Sequence, residues 1–172
     1  MLATLAALAL AADPVIAFGK LDVQGVPPEL AVALVSVLED DLAQLTDGVR
    51  TQAETKKAGA RAAKYVVTGA LTAVGKSGRI TLRVVDVASR ALRGTASSAV
   101  TDGRWGADRG PLLRAICQAA GVDGLGEPKT QEYPTDVLLE WGRALQKGTP
   151  SAIDEFAKQR PDIGPAQRRV AK

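Results

Sequence analysis

The sequence predicts an α/β fold of the α+β type: a mixed five-stranded sheet with an antiparallel C-terminal meander, packed by helices, then a C-terminal helical hairpin. Three observations predict it. Runs rich in β-branched residues recur at 64–74, 79–87 and 92–100, split by turn residues. A long stretch at 27–45 carries leucines at helical spacing. After a Gly/Pro-rich stretch at 121–134, two short amphipathic segments flank Gly148-Thr149-Pro150.

Pro14 to Leu21 (PVIAFGKL) opens with an apolar run suited to a buried strand, and Gly25 with Pro27-Pro28 ends it. In the helix that follows, Pro at the first turn is tolerated because those N–H groups lack partners anyway. Leu30, Leu34, Leu38, Leu42 and Leu45 step by four and three, with Val37 alongside, so they form one core-facing stripe. Glu39, Asp40 and Asp41 are expected to face away or lie at the border. Asp47-Gly48 marks a turn and Val49-Arg50 a short strand. Thr51-Gln52-Ala53-Glu54 fits a capping box that opens an Ala-rich helix to about Ala63. A right-handed crossover makes the first two strands parallel. The expected sheet order is second, first, third, fourth, fifth strand.

In the meander, Gly75-Lys-Ser-Gly78 and Ala88–Ala91 supply the turns. Trp105 and Gly106 fall in a loop. Pro111 to Ala120 reads as a helix with Leu112, Leu113, Ile116 and Ala120 on its apolar face and Gly121 closing it. In the tail, Val137, Trp141 and Leu145 form one stripe and Ile153, Phe156 and Ala157 another. The domain reading is 1–11 a signal peptide, 12–121 the α/β domain, 122–134 a linker and 135–172 the hairpin.

Composition excludes more chemistry than any motif suggests. The 172 residues include 30 alanines but only six aromatic residues and no histidine, so the usual general base and metal ligand are absent. A single cysteine excludes an internal disulfide and a Cys-rich zinc site. Mean hydropathy of +0.02 lies between disordered and membrane chains. The net charge of +3 hides a gradient. Residues 1–49 hold seven acids against one base, 50–114 hold thirteen bases against four acids, and 115–172 hold eight of each.

Residues 1–12, MLATLAALALAA, are uncharged and as long as a signal-peptide core. They are too short for a bilayer span, which takes roughly 20 residues. Ala9-Leu10-Ala11 is a small-x-small cleavage signature, although no Lys or Arg follows Met1. Cleavage after Ala11 implies a periplasmic protein. A buried N-terminal helix or strand implies a cytoplasmic one.

Most motifs dissolve on inspection. Gly69 to Ser77 resembles a phosphate-binding loop but has one residue too many between its glycines and leads into a strand, not a helix. It reads as a hairpin turn. Cys117 lies beside an apolar stripe with nothing to activate it. Asp40 and Asp41 are helix neighbours and do not converge on one ligand. Ser36, Ser97 and Ser98 lack a nucleophile elbow or a lysine partner. No catalytic residue, metal ligand or cofactor is therefore expected. One cluster remains: Arg79, Arg83, Arg90 and Arg93, on the second and third meander strands or their turn. Arg79 and Arg83 share a face if no bulge intervenes. They mark either a solvated sheet face or a surface for an anionic partner.

Tyr65-Val66-Val67-Thr68-Gly69 followed by Leu82-Arg83-Val84-Val85-Asp86, with PVIAFGKL and the leucine helix, resembles the α/β domain of the TolB N-terminal region and the CsgG-like envelope proteins. The resemblance covers about residues 14–121. The stretch from Gly48 to Ala63 is shorter than in many relatives. The resemblance implies a protein-binding assembly role at the periplasm or outer membrane, without catalysis. The alternative is a cytosolic basic domain that binds nucleic acid or another polyanion. The tail, with Gly142, Gly148, Ala152 and Phe156, looks like one degraded tetratricopeptide-type repeat, or an ordinary helical hairpin. One repeat cannot bury its own faces, so it should dock on the α/β domain or on a partner.

Overall fold

The computed structural model describes residues 14–45, 50–51, 63–122, 127–128 and 130–170. Its strands are β1 (Val15–Gln24), β2 (Arg50–Thr51), β3 (Tyr65–Val74), β4 (Ser77–Asp86) and β5 (Leu92–Val100). Its helices are α1 (Pro28–Leu45), α2 (Gly110–Ala119), α3 (Thr135–Lys147), α4 (Pro150–Gln159) and α5 (Gly164–Val170). The five strands form one mixed sheet in the order β2-β1-β3-β4-β5, as expected. β1 runs parallel to β2 and β3, and the meander β3-β4-β5 is antiparallel.

The meander's register follows from its first turn. Val74 pairs with Ser77, so Gly75-Lys76 is a two-residue loop, with Gly75 at φ 62. That positive φ matches the twist of the flanking strands and suits glycine. The phosphate-loop look-alike is thus a hairpin turn. Strand alternation then sends Leu71, Ile80, Leu82 and Val84 to one face, all buried.

Helices cover that face. α1 lies on β1 and β2, and α2 lies on β5 and β4. The leucine stripe behaves as its spacing predicts. Leu30, Leu34, Val37, Leu38 and Leu42 are buried, and Leu45 is half-buried. Leu112, Leu113, Ile116, Cys117 and Ala120 fill the space beneath α2.

The tail departs from a simple hairpin. A third helix, α5, follows α4 and packs on both α4 and α1. α3 lies directly against α1. Trp141 is fully buried there. Its Nε1–H donates to Ser36 Oγ at 3.3 Å, and its ring centroid lies 5.0 Å from that of Phe156. Gly142 permits this approach, because a Cβ there would sit 2.0 Å from the Glu29 carbonyl oxygen. The helical tail therefore docks on its own chain and shares one core with the sheet.

Several expected features move or fall elsewhere. β1 runs on to Gln24 because its ladder with β3 continues to Thr72. The second strand is Arg50–Thr51, one residue later than expected. The signal-like segment and the capping box beyond Thr51, with its helix, lie outside the described residues.

Candidate functional site

With one sheet face covered, the other carries the candidate site. Arg79 and Arg83 project from it on β4. Arg79 pairs across the ladders with Thr72 and Ala99, and Arg83 with Thr68 and Thr95. Thr81 lies between them, flanked by Ala70 and Ser97. Both arginines are exposed, and neither forms an ion pair among the described residues. Four residues of strand separate them, roughly 13 Å. The face therefore carries two guanidinium positions over hydroxyls and small side chains, with the exposed carboxylate of Asp22 in line with Ala70 and Thr81. Its aromatic neighbours are elsewhere: Tyr65 and Trp105 are buried.

The other two arginines of the cluster sit at one end. Arg90 is in the β4–β5 turn with a left-handed backbone, φ 57. Arg93 falls at a register shift, where Val84 pairs with Gly94 but Val85 pairs with Leu92. The extra residue breaks the alternation, so Arg93 does not continue the Arg79–Arg83 row. The turn itself is tied by Asp86. The Ser89 backbone N–H donates to Asp86 Oδ1 at 2.9 Å. This bond, with the Ser89 hydroxyl and, more weakly, the Ala88 N–H and the charge of Arg93, holds the Asp86 carboxyl below the ordinary carboxylate range against the opposing effect of desolvation.

The geometry suits multi-point electrostatic contact. Among the described residues, no group of three or more His, Cys, Asp or Glu side chains could hold a metal ion. Cys117 is buried, and desolvation raises its thiol to about 11.

One polar cluster escaped sequence reasoning. Arg109 is buried, and its Nε–H donates to Asp41 Oδ2 at 2.8 Å. Its other nitrogens donate to the carbonyls of Gly106 (2.8 Å), Ala107 (3.2 Å) and Gln131 (2.7 Å). Its guanidinium lies 5.4 Å from the Tyr133 ring centroid. Asp41 is thus buried, although the spacing predicts that it faces away or lies at the border of the α1 stripe. With nearly every donor consumed inside the protein, Arg109 clamps three segments and is no ligand site. The stretch before α3 is held in the same way, since Tyr133 bridges to Gly106.

No helix among the described residues is long and apolar enough to cross a membrane. No family model matches the chain. No curated protein matches it. Solved structures do. TolB from Acinetobacter baumannii aligns over 65% of this chain at 19% identity and a TM-score of 0.46. The chain spans 29% of that protein's length. A PelC dodecamer from Paraburkholderia phytofirmans aligns over 64% of this chain and 86% of its own, at 17% identity and a TM-score of 0.38. A lipoprotein from Neisseria meningitidis aligns over 62% of this chain and 94% of its own, at 12% identity and a TM-score of 0.39.

Proposed function

We propose that this protein is a non-catalytic, protein-binding domain of the bacterial cell envelope, and that the open sheet face around Arg79 and Arg83 receives an acidic surface of its partner. One observation carries the reading. Two exposed guanidinium groups, with no ion pair among the described residues, stand about four strand residues apart on one sheet face whose other exposed charge among those residues is Asp22 on β1. Rim charges of this kind steer encounter and set specificity. The export-like N-terminal segment and the TolB-like sequence pattern support the compartment. The lack of histidine in the sequence, and of a group of acids that could hold a metal among the described residues, supports a non-catalytic reading.

The polyanion reading rests on the same arginines. It is disfavoured because the open face has no exposed aromatic ring on which bases could stack.

Fractionation with N-terminal sequencing tests the compartment. Recovery from the periplasm with the mature chain starting at Ala12 is expected. Cytosolic recovery with Met1 intact would overturn it. Replacing Arg79, Arg83, Arg90 and Arg93 with Gln separates the partner classes. An oligonucleotide ligand would lose roughly one unit of salt slope per lost phosphate contact. The protein-binding reading expects no oligonucleotide affinity above that of the quadruple variant.

A further inference from the structure

β5 closes the sheet on the side opposite β2, and among the described residues no strand pairs with its outer edge. The segments that enter and leave it, 87–91 and 101–109, are described throughout. The next described residues beyond α2 and Val122, Glu127 and Pro128, line a cavity with Asp41 and Gln44 of α1, away from β5. Past the register shift at Arg93, the ladder with β4 is regular from Gly94 to Val100. Among the described residues, the backbone groups of 94–100 bond only to β4, apart from the Ala99 carbonyl, which accepts from the Ser98 hydroxyl at 3.4 Å. This stretch, GTASSAV, carries neither proline nor charge, the devices that usually shield an edge from pairing.

The same stretch borders the two arginines. Ala99 lies opposite Arg79, Ser97 opposite Thr81 and Thr95 opposite Arg83. All three β5 residues are small and exposed. A strand laid outside β5 would run two strand spacings from β4, about 9–10 Å. Nothing bulky stands between, so both guanidinium groups can extend over β5 to carboxylates there. The acids nearby lie elsewhere: Asp86 holds the β4–β5 turn, Asp22 is on β1, and Asp102 follows β5 in a left-handed turn position. On the covered side of the sheet, Ala119 of α2 closes on Gly94, and Ala115 shares its stripe one turn earlier. A second copy does not fit this lane. α2 lies on β5 more than on β4. Pairing β5 with β5 of a second copy would set two α2 helices over neighbouring strands, about 4.8 Å apart, where packed helices need about 8–10 Å. A bare extended segment brings no helix.

We infer that the β5 edge takes up an extended segment of the protein partner, carrying two carboxylates four residues apart that meet Arg79 and Arg83. The residues one and three beyond the first acid face α2 and are aliphatic. The inference rests on the reading of the arginine face given above and specifies the acidic surface as one added strand, held by main-chain hydrogen bonds to 94–100.

The test titrates the full chain with three acetylated, amidated heptapeptides: TEVTVET, its isomer TEVTEVT, whose acids fall on opposite faces of a strand, and TEVTVET N-methylated at the three residues between its acids. Backbone amide shifts and hydrogen exchange are the readouts. TEVTVET is expected to shift amides in 94–100 and to slow exchange of those on the outer edge at least about tenfold. The isomer should bind about tenfold more weakly, and the N-methylated peptide should leave those amides unprotected. Arg79→Gln with Arg83→Gln should weaken TEVTVET about tenfold. Circular dichroism checks that this variant, altered only at exposed sites, stays folded. The inference is overturned if millimolar TEVTVET moves no amide in 94–100, if the isomer binds as well, or if the chain protects that edge by self-association without peptide. Equal binding of the N-methylated peptide, still lost with the two arginines, would overturn the added strand and leave the arginine face as the receiver of acids. Binding along 94–100 that ignores both arginine changes would overturn the reading of that face as well.

Discussion

Arg109 and Asp41 are joined 2.8 Å apart inside the protein, 68 residues apart in sequence. The pair links the C-terminal part of α1 to the loop that precedes α2. Removing one partner leaves a buried charge without compensation, which typically costs about 3–5 kcal/mol. Asp41→Ala and Arg109→Ala are each expected to lose stability of that order in urea unfolding. Asp41→Leu combined with Arg109→Met should lose less than the two single changes added together.

Gly142 faces the Glu29 carbonyl across the α1–α3 contact, with room for no Cβ. Intrinsic propensity alone would make Gly142→Ala stabilising by about 1 kcal/mol. The close approach reverses the sign. Thermal denaturation of Gly142→Ala should show a lower midpoint than the parent, and a higher one would mean that α3 does not seat on α1.

Leu38 is buried in the leucine stripe. An ionised carboxylate there has no partner, so Leu38→Asp should abolish folding at ordinary temperatures. A cooperative melt close to the parent's would show that the stripe is not covered.

Cys117 is raised to about 11 by burial, so little thiolate exists at pH 8. Thiol reagents should label the native protein at that pH far more slowly than the urea-unfolded chain. Equal rates would contradict the packing of α2.

Acid should loosen the β4–β5 turn. The Asp86 carboxyl is held below its ordinary 3.8 in the folded state by the Ser89 N–H, so the folded form binds its proton less readily than the unfolded one. The resulting stabilisation is present above that ordinary value and is lost as pH falls through the lower folded value. Asp86→Asn should leave this turn's amide exchange with no such acid-dependent step.

Much of this was legible in the sequence because it is local. Leucines at steps of three and four fixed the buried face of α1, and the turn glycines placed the first hairpin, although Ser77 and Gly78 of the expected four-residue turn belong to β4. What depends on distant partners was not legible. Asp40 and Asp41 are chemically alike and adjacent. Only the fold shows that Asp41 meets Arg109. The cluster of four arginines is divided by the extra residue in β5 at Arg93, which composition does not signal. α5 was missed because Gly164–Val170 is short and its buried residues, Pro165 and Ala166, give no helical period.

The central claim is that the uncovered sheet face is a protein-binding surface. It is tested most directly by placing a photo-crosslinking amino acid at Ser97, between the two arginine positions, in living cells. Discrete covalent protein adducts are expected, resistant to nuclease and lost when Arg79 and Arg83 are both Gln. Absence of adducts at Ser97, or adducts indifferent to those two changes, would contradict the account.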